Sequence, residues 1–211
     1  MPAIDAVAII WSVEIERRFD SIYAQLMKIL IAVFLFLICM ALPAAGQVRN
    51  IPDPYPIGTP VARTIAFGDA YATAIETYDA RITVIEVVRG ERAWDLLKKQ
   101  DASNTEPDSG FEFVLARIRF EFTAKGKPGD KAYDLREDQF TAFSSDGSTQ
   151  YPAANVIPPK PRLIGTLHSG DSAEGWVALI VARNDPKPFT AFRADVHLIS
   201  HTGIGPAFRL Y

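Results

Sequence analysis

The chain has 211 residues, with 22 basic and 25 acidic side chains, a formal charge of −3, 48% hydrophobic residues and one cysteine. That length suffices for one domain with a real core, alone or behind a targeting segment. The near-neutral charge excludes a polybasic nucleic-acid binder and an acidic disordered tail, and a single cysteine excludes an internal disulfide framework or a cysteine-held metal cluster.

The apolar residues crowd the front. Residues 29–42 read ILIAVFLFLICMAL, with no charge among them. Met27-Lys28 stands before this run and Pro43-Ala44-Ala45-Gly46-Gln47 after it. A basic start, an apolar stretch and small residues are the three parts of a secretory signal peptide. Ala44 and Gly46 suit a peptidase that cuts before Gln47, with a cut before Gly46 as the neighbouring choice. Extended to Gly46, the run is about the shortest that spans a ~30 Å hydrocarbon core. Residues 27–46 therefore read as a hydrophobic helix that is either a signal peptide or an uncleaved signal anchor. A buried core helix fits less well, because no face carries polar residues. Cys39 lies inside the run behind bulky Phe36, Leu37 and Ile38, which does not suit a lipoprotein. Residues 1–26 mix Asp5, Glu14, Glu16 and Asp20 with Arg17 and Arg18. They read as an over-extended N-terminus ahead of a true start at Met27, or as a short cytoplasmic segment.

Residues 47–60 (QVRNIPDPYPIGTP) hold four prolines and read as an extended spacer. Beyond it, residues 61–211 carry mostly period-two signals. Thr59–Phe67 and Tyr71–Thr77 are weak strands, and Ala80–Val88, rich in β-branched residues, is a strand covered on most of both faces. Gly90–Gln100 has Glu91 near its start, Lys98 and Lys99 near its end, and Trp94 three residues before Leu97, the marks of a short helix. A polar loop, Asp101–Gly110, follows. Phe111–Phe122 alternates cleanly, with Val114, Ala116, Ile118, Phe120 and Phe122 on one face and Arg117, Arg119 and Glu121 on the other. Gln139–Ser144 runs into an Asp146-Gly147 turn. Gly175–Ala182 is a buried strand after the Gly170-Asp171 turn, and Phe189–Ile199 and Pro206–Tyr211 close the chain. About seven short strands and one helix point to an antiparallel β-sandwich.

Chemistry is sparse. His197 and His201 are four apart but lie in a strand-like segment, and His168 sits beside a turn, so surface or edge histidines fit better than a metal site. The acidic loops at Asp146 and Asp101–Asp108 lack calcium-loop spacing. There is no G-x-S-x-G elbow, and Ser169 beside His168 does not make a triad, which only a fold assembles. No carboxylate pair stands above the rest. No catalytic, cofactor-binding or metal residue is nominated. Phe111 and Phe113 are expected to meet the helix through Trp94 and Leu97, and Trp176 to occupy a core position. The loop Asp101–Gly110 and the proline-rich stretch Tyr151–Pro161 are the candidate contact regions.

Several stretches taken in series resemble a known family. They are Pro56-Ile57-Gly58-Thr59, ITVIEVVRGERAW (82–94), GFEFVLARIRF (110–120), FTAFSSDGSTQY (140–151), HSGDSAEGWVALIV (168–181) and the closing G-x-G-x-x-F-R-L-Y (203–211). The family is a group of exported bacterial and archaeal immunoglobulin-like domains of unknown function, related to the secreted immunoprotective antigen superfamily. The resemblance implies an all-β, Ig-like sandwich outside the cytoplasm, without known catalysis. The expectation is an exported, non-enzymatic domain, secreted or membrane-anchored through residues 27–46, that binds a protein or envelope component and neither nucleic acid nor a cofactor. The alternative from another class is an extracytoplasmic hydrolase with a hidden acid pair, which a cleft holding two converging carboxylates, one with a raised pKa, would favour.

Overall fold

The computed structural model describes residues 53–67, 75–127, 129–194 and 205–211. The expected signal or anchor helix (27–46), the segment 1–26, Cys39, the start of the spacer, Tyr71–Ala74, His197 and His201 lie outside the described residues. Among the described residues no helix is long and apolar enough to cross a membrane.

Among the described residues nine strands and one α-helix follow one another: β1 (Val61–Phe67), β2 (Glu76–Arg89), α1 (Glu91–Gln100), β3 (Phe111–Ala124), β4 (Tyr133–Leu135), a 3-10 turn (Glu137–Gln139), β5 (Phe140–Phe143), β6 (Gly165–Leu167), β7 (Ser172–Ala182), β8 (Phe189–Phe192) and β9 (Ala207–Arg209). Every pairing between these strands is antiparallel. They form a four-stranded sheet in the order β1-β2-β3-β7, a three-stranded sheet β5-β8-β9 and the pair β4-β6.

β3 forms because its apolar residues repeat every second position. Its even positions Val114, Ala116, Ile118, Phe120 and Phe122 are all fully buried, as expected. They meet Tyr133 and Leu135 of β4, Phe140 and Ala142 of β5, Phe192 of β8 and Phe208 of β9 in one continuous core. The rings of Phe120 and Tyr133 stack at 5.4 Å, and those of Tyr78 and Phe122 at 4.6 Å. One face of the large sheet is thus covered by the strands of the two smaller ones, which is the layered, antiparallel arrangement expected.

The opposite face divides in two. Toward one end α1 lies across it, burying Ala93 and Leu97 against Val88, Phe113 and Leu115. The helix begins after Gly90 at φ 69°, a conformation only glycine adopts freely, with Glu91 in its first turn and Lys98 and Lys99 in its last. The remainder of that face is polar. Arg119 and Glu174 pair at 2.8 Å, Arg117 reaches Glu174 at 2.6 Å, and Arg81 stands opposite Glu121.

β2 serves both cores through one irregularity. Its register against β3 slips between Val84 and Glu86, leaving Ile85 as the bulged residue. Strict alternation from Ile82 and Val84 would carry Glu86 inward. With Ile85 absorbing one position, Glu86 is exposed, Val87 joins the main core and Val88 goes under the helix.

Three expectations change. The rings of Phe113 and Trp94 stack at 6.0 Å under α1, but Phe111, at the strand end, turns to the main core and meets Tyr151 edge-on at 6.4 Å. Trp176 is half-buried on the helix side of β7 rather than in the main core. Finally, β4 and β6, three residues each, have no counterpart in the sequence reading.

Candidate functional site

Among the clefts of the described residues, two each take a wall from one of the segments nominated from sequence. The first, about 350 Å³, lies beside β5. Phe140 and Ala142 of β5, Tyr151, Ala153, Val156 and Leu179 of β7 give it an apolar lining, with Glu137, Asp138 and Arg193 at the rim. The second, about 300 Å³, lies between the start of α1 and the 101–110 loop, lined by Glu91, Trp94, Glu106, Pro107, Glu112 and Arg183.

The walls are fixed from below. Asn104 is buried in the loop, and its side-chain amide donates to the Leu97 carbonyl at 2.8 Å and to the Ile157 carbonyl at 3.0 Å. Its oxygen accepts from the Ile157 N–H at 2.7 Å. One side chain therefore ties the helix end, the acidic loop and the proline-rich stretch together. That stretch also covers the edge of β7. Ala153 bridges Leu179, the Trp176 N–H donates to the Pro161 carbonyl at 2.8 Å, and the Leu163 N–H to the Trp176 carbonyl at 3.3 Å. Gly175 permits the approach, because a Cβ there would stand 2.4 Å from the Arg162 carbonyl carbon. The Glu137 carboxylate grips the Arg162 guanidinium through two bonds of 2.8 and 2.9 Å, fixing one rim of the first cleft.

Beneath Tyr151 lies a polar cluster that sequence reasoning missed. Asp185 is 8% exposed and accepts from the Tyr151 hydroxyl at 2.8 Å, the Ser145 N–H at 3.0 Å, the Ser145 hydroxyl and the Lys187 N–H at 3.2 Å. Beside it the Arg89 guanidinium pairs with Glu112 and donates to the Asp185 carbonyl. Burial works to raise the Asp185 carboxyl, but donors from Ser145, Tyr151 and Lys187 outweigh it and the pKa lies below the ordinary value. Burial, then the bond to Asp185, pushes the Tyr151 hydroxyl up to about 12. A lone aspartate in Asn184-Asp185-Pro186 carries no signal of this, since its partners Ser145 and Tyr151 stand 40 and 34 residues away.

The other nominated residues are tied into turns. Asp146 accepts from the hydroxyls of Ser144 and Ser148 and from the Ser148 N–H, which hold its carboxyl at about 2. The Ser103 hydroxyl and N–H likewise lower Asp101. The Arg119 hydrogen bond, opposed by burial and aided by the Arg117 charge, lowers Glu174. Every carboxyl with a displaced pKa among the described residues is thus displaced downward. Ser169 spends its hydroxyl accepting from the Ala124 N–H at 2.9 Å, and exposed His168 stands 3.7 Å from Asp171. Among the described residues no group of histidine, cysteine, aspartate and glutamate side chains is arranged to hold a metal ion.

No family model matches the chain, and no curated protein matches it significantly. Two solved structures are similar in part. The yjhA protein from Bacillus subtilis is 13% identical over 67% of this chain and 84% of its own, with a TM-score of 0.41. A secreted protein from Mycobacterium tuberculosis, MPT63, is 13% identical over 74% of this chain and 97% of its own, with a TM-score of 0.43. Likenesses of that size carry no argument about what this chain does.

Proposed function

We propose that the chain is an exported, non-enzymatic immunoglobulin-like domain that binds a protein or envelope component at the cell surface or outside the cell. Export rests on the residues before and after the 29–42 apolar run. The binding reading rests on one observation, the β5 cleft. It has an apolar floor, a charged rim and walls held by a bidentate ion pair and by main-chain bonds to β7. A rigid scaffold that presents such a cleft holds a partner at little ordering cost.

The test is capture from the producer's envelope fraction by the immobilised full-length chain, set beside an Ala153→Trp variant. Ala153 is exposed and lines the cleft, so the indole blocks the cleft without disturbing the core. The expected result is one component held by the natural chain and lost by the variant. Equal retention by both, or retention by neither, overturns the reading.

A further inference from the structure

Resting on that reading of the β5 cleft, we infer that its ligand is an extended peptide, bonded through its main chain to the edge of β5 that faces the cleft.

Register decides which main-chain groups of β5 face the cleft. The Arg193 N–H donates to the Gln139 carbonyl at 2.7 Å, and Phe140 pairs with Phe192 in the adjoining ladder. Main-chain groups alternate in direction along a strand, so those of Thr141 and Phe143 point to β8 and those of Phe140 and Ala142 point away from it. On that outer edge the Phe140 N–H is used by the Glu137 carbonyl, closing the 3-10 turn. The Ala142 carbonyl accepts from the Tyr151 N–H at 2.9 Å. The Phe140 carbonyl and the Ala142 N–H are left, with no partner among the described residues.

The chain itself shows what belongs there. Residues 149–151 run beside the far end of β5, with the Ser144 N–H donating to the Thr149 carbonyl at 2.9 Å and Phe143 bridging Gln150. After Tyr151 the chain leaves β5 and crosses to β7, where Ala153 bridges Leu179. The ladder is abandoned after Ala142, and the cleft occupies the space where it would have continued. The Phe140 carbonyl and the Ala142 N–H are its next two rungs. An added antiparallel strand satisfies both with two of its residues, two positions apart, one carbonyl accepting from the Ala142 N–H and one N–H donating to the Phe140 carbonyl, as in strand addition to a sheet edge. Phe140 and Ala142 are 4% and 2% exposed, and main-chain groups so enclosed are costly to leave unpaired.

The lining sets the chemistry. Ala153, Val156 and Leu179 suit small aliphatic side chains. A cleft of about 350 Å³ is at the small end of the roughly 300–1,000 Å³ range of ligand pockets, enough for a short stretch of chain and not for a folded partner. A lipid or a sugar lacks the alternating N–H and C=O that the two rungs require.

The full-length chain is offered an array of N-acetylated, C-amidated hexapeptides, and the tightest binder is remade with each backbone amide N-methylated in turn. Methylation at one position should weaken binding about tenfold while the other positions change it little. Amide exchange at Ala142 should slow by about tenfold or more on saturation. Uniform tolerance of N-methylation, unchanged exchange at Ala142, or an array without a binder overturns the inference. If the cleft-dependent capture still occurs with a glycan or lipid, the binding reading stands and only the peptide is removed. If capture and peptide binding both fail, both readings fall.

Discussion

Replacing Asp185 by alanine is expected to destabilise the fold by about 2–4 kcal/mol. The carboxylate accepts four hydrogen bonds, but they are not equal. Ser145 and Lys187 are exposed, so water recovers most of what their donors lose. The Tyr151 hydroxyl, on a residue 7% exposed, has no such recourse. An unsatisfied buried hydroxyl alone costs roughly 1–3 kcal/mol, and lost charge-assisted bonds supply the rest. Tyr151→Phe removes the donor while Asp185 keeps the others and the ring keeps its edge-on contact with Phe111, so about 1 kcal/mol is expected there. Because both changes break one bond, the double variant should cost less than the sum of the two. Urea unfolding at pH 7 measures all three, and the slope should not change. A loss below about 1 kcal/mol for Asp185→Ala, or strict additivity in the cycle, refutes the reasoning. The pH dependence gives an independent check. The folded-state pKa is lowered, so the contribution is present above the unfolded value of about 3.9 and is lost as pH falls through the depressed folded value. Asp185→Asn should lose that part of the acid slope.

Three further outcomes are expected. Tyr151 holds its proton to about 12, so its stabilisation is complete below about pH 10 and lost as pH rises toward that value; ultraviolet titration of Tyr151→Phe should lack one phenol that titrates near 12 in the natural chain. Leu97→Ala empties a fully buried site under the helix and should cost about 3 kcal/mol in urea unfolding. Gly175→Ala should cost about 1–3 kcal/mol, because the new methyl meets the Arg162 backbone, and limited proteolysis should show faster cutting near residues 160–164.

What was legible follows from how far apart the determining residues stand. β3 and α1 were readable because their signals are local, a period of two across Phe111–Phe122 and charges sorted to the ends of Glu91–Gln100. β4 and β6 were not, since three residues hold no period and each exists by pairing with the other across 30 residues, Leu135 with Gly165. The bulge at Ile85 leaves no mark in composition, yet it decides which side Glu86 and Val87 take. The contact regions were legible only as polar or proline-rich stretches of some length. That they line clefts depends on Asn104, a single residue of a loop read only as polar, whose partners are 7 and 53 positions away. Phe111 departed from its strand's alternation because at the strand end Tyr151 offers it a surface.

The covering of β7 bears on how the four-stranded sheet can add to others of its kind. Linear growth of a sheet requires two open sides on each unit, one to receive and one to offer. Here residues 153–163 occupy the β7 side, leaving β1 as the only boundary strand among the described residues. That strand places Arg63 between Val61 and Ile65 on the core-facing side, a charge that a docking strand would have to desolvate. Through the four-stranded sheet alone, whose one open side is β1, two copies can pair and growth by that sheet then stops, the open β5 edge belonging to the smaller sheet. For a protein presented at high local density, that arithmetic makes this sheet a dead end for fibre propagation.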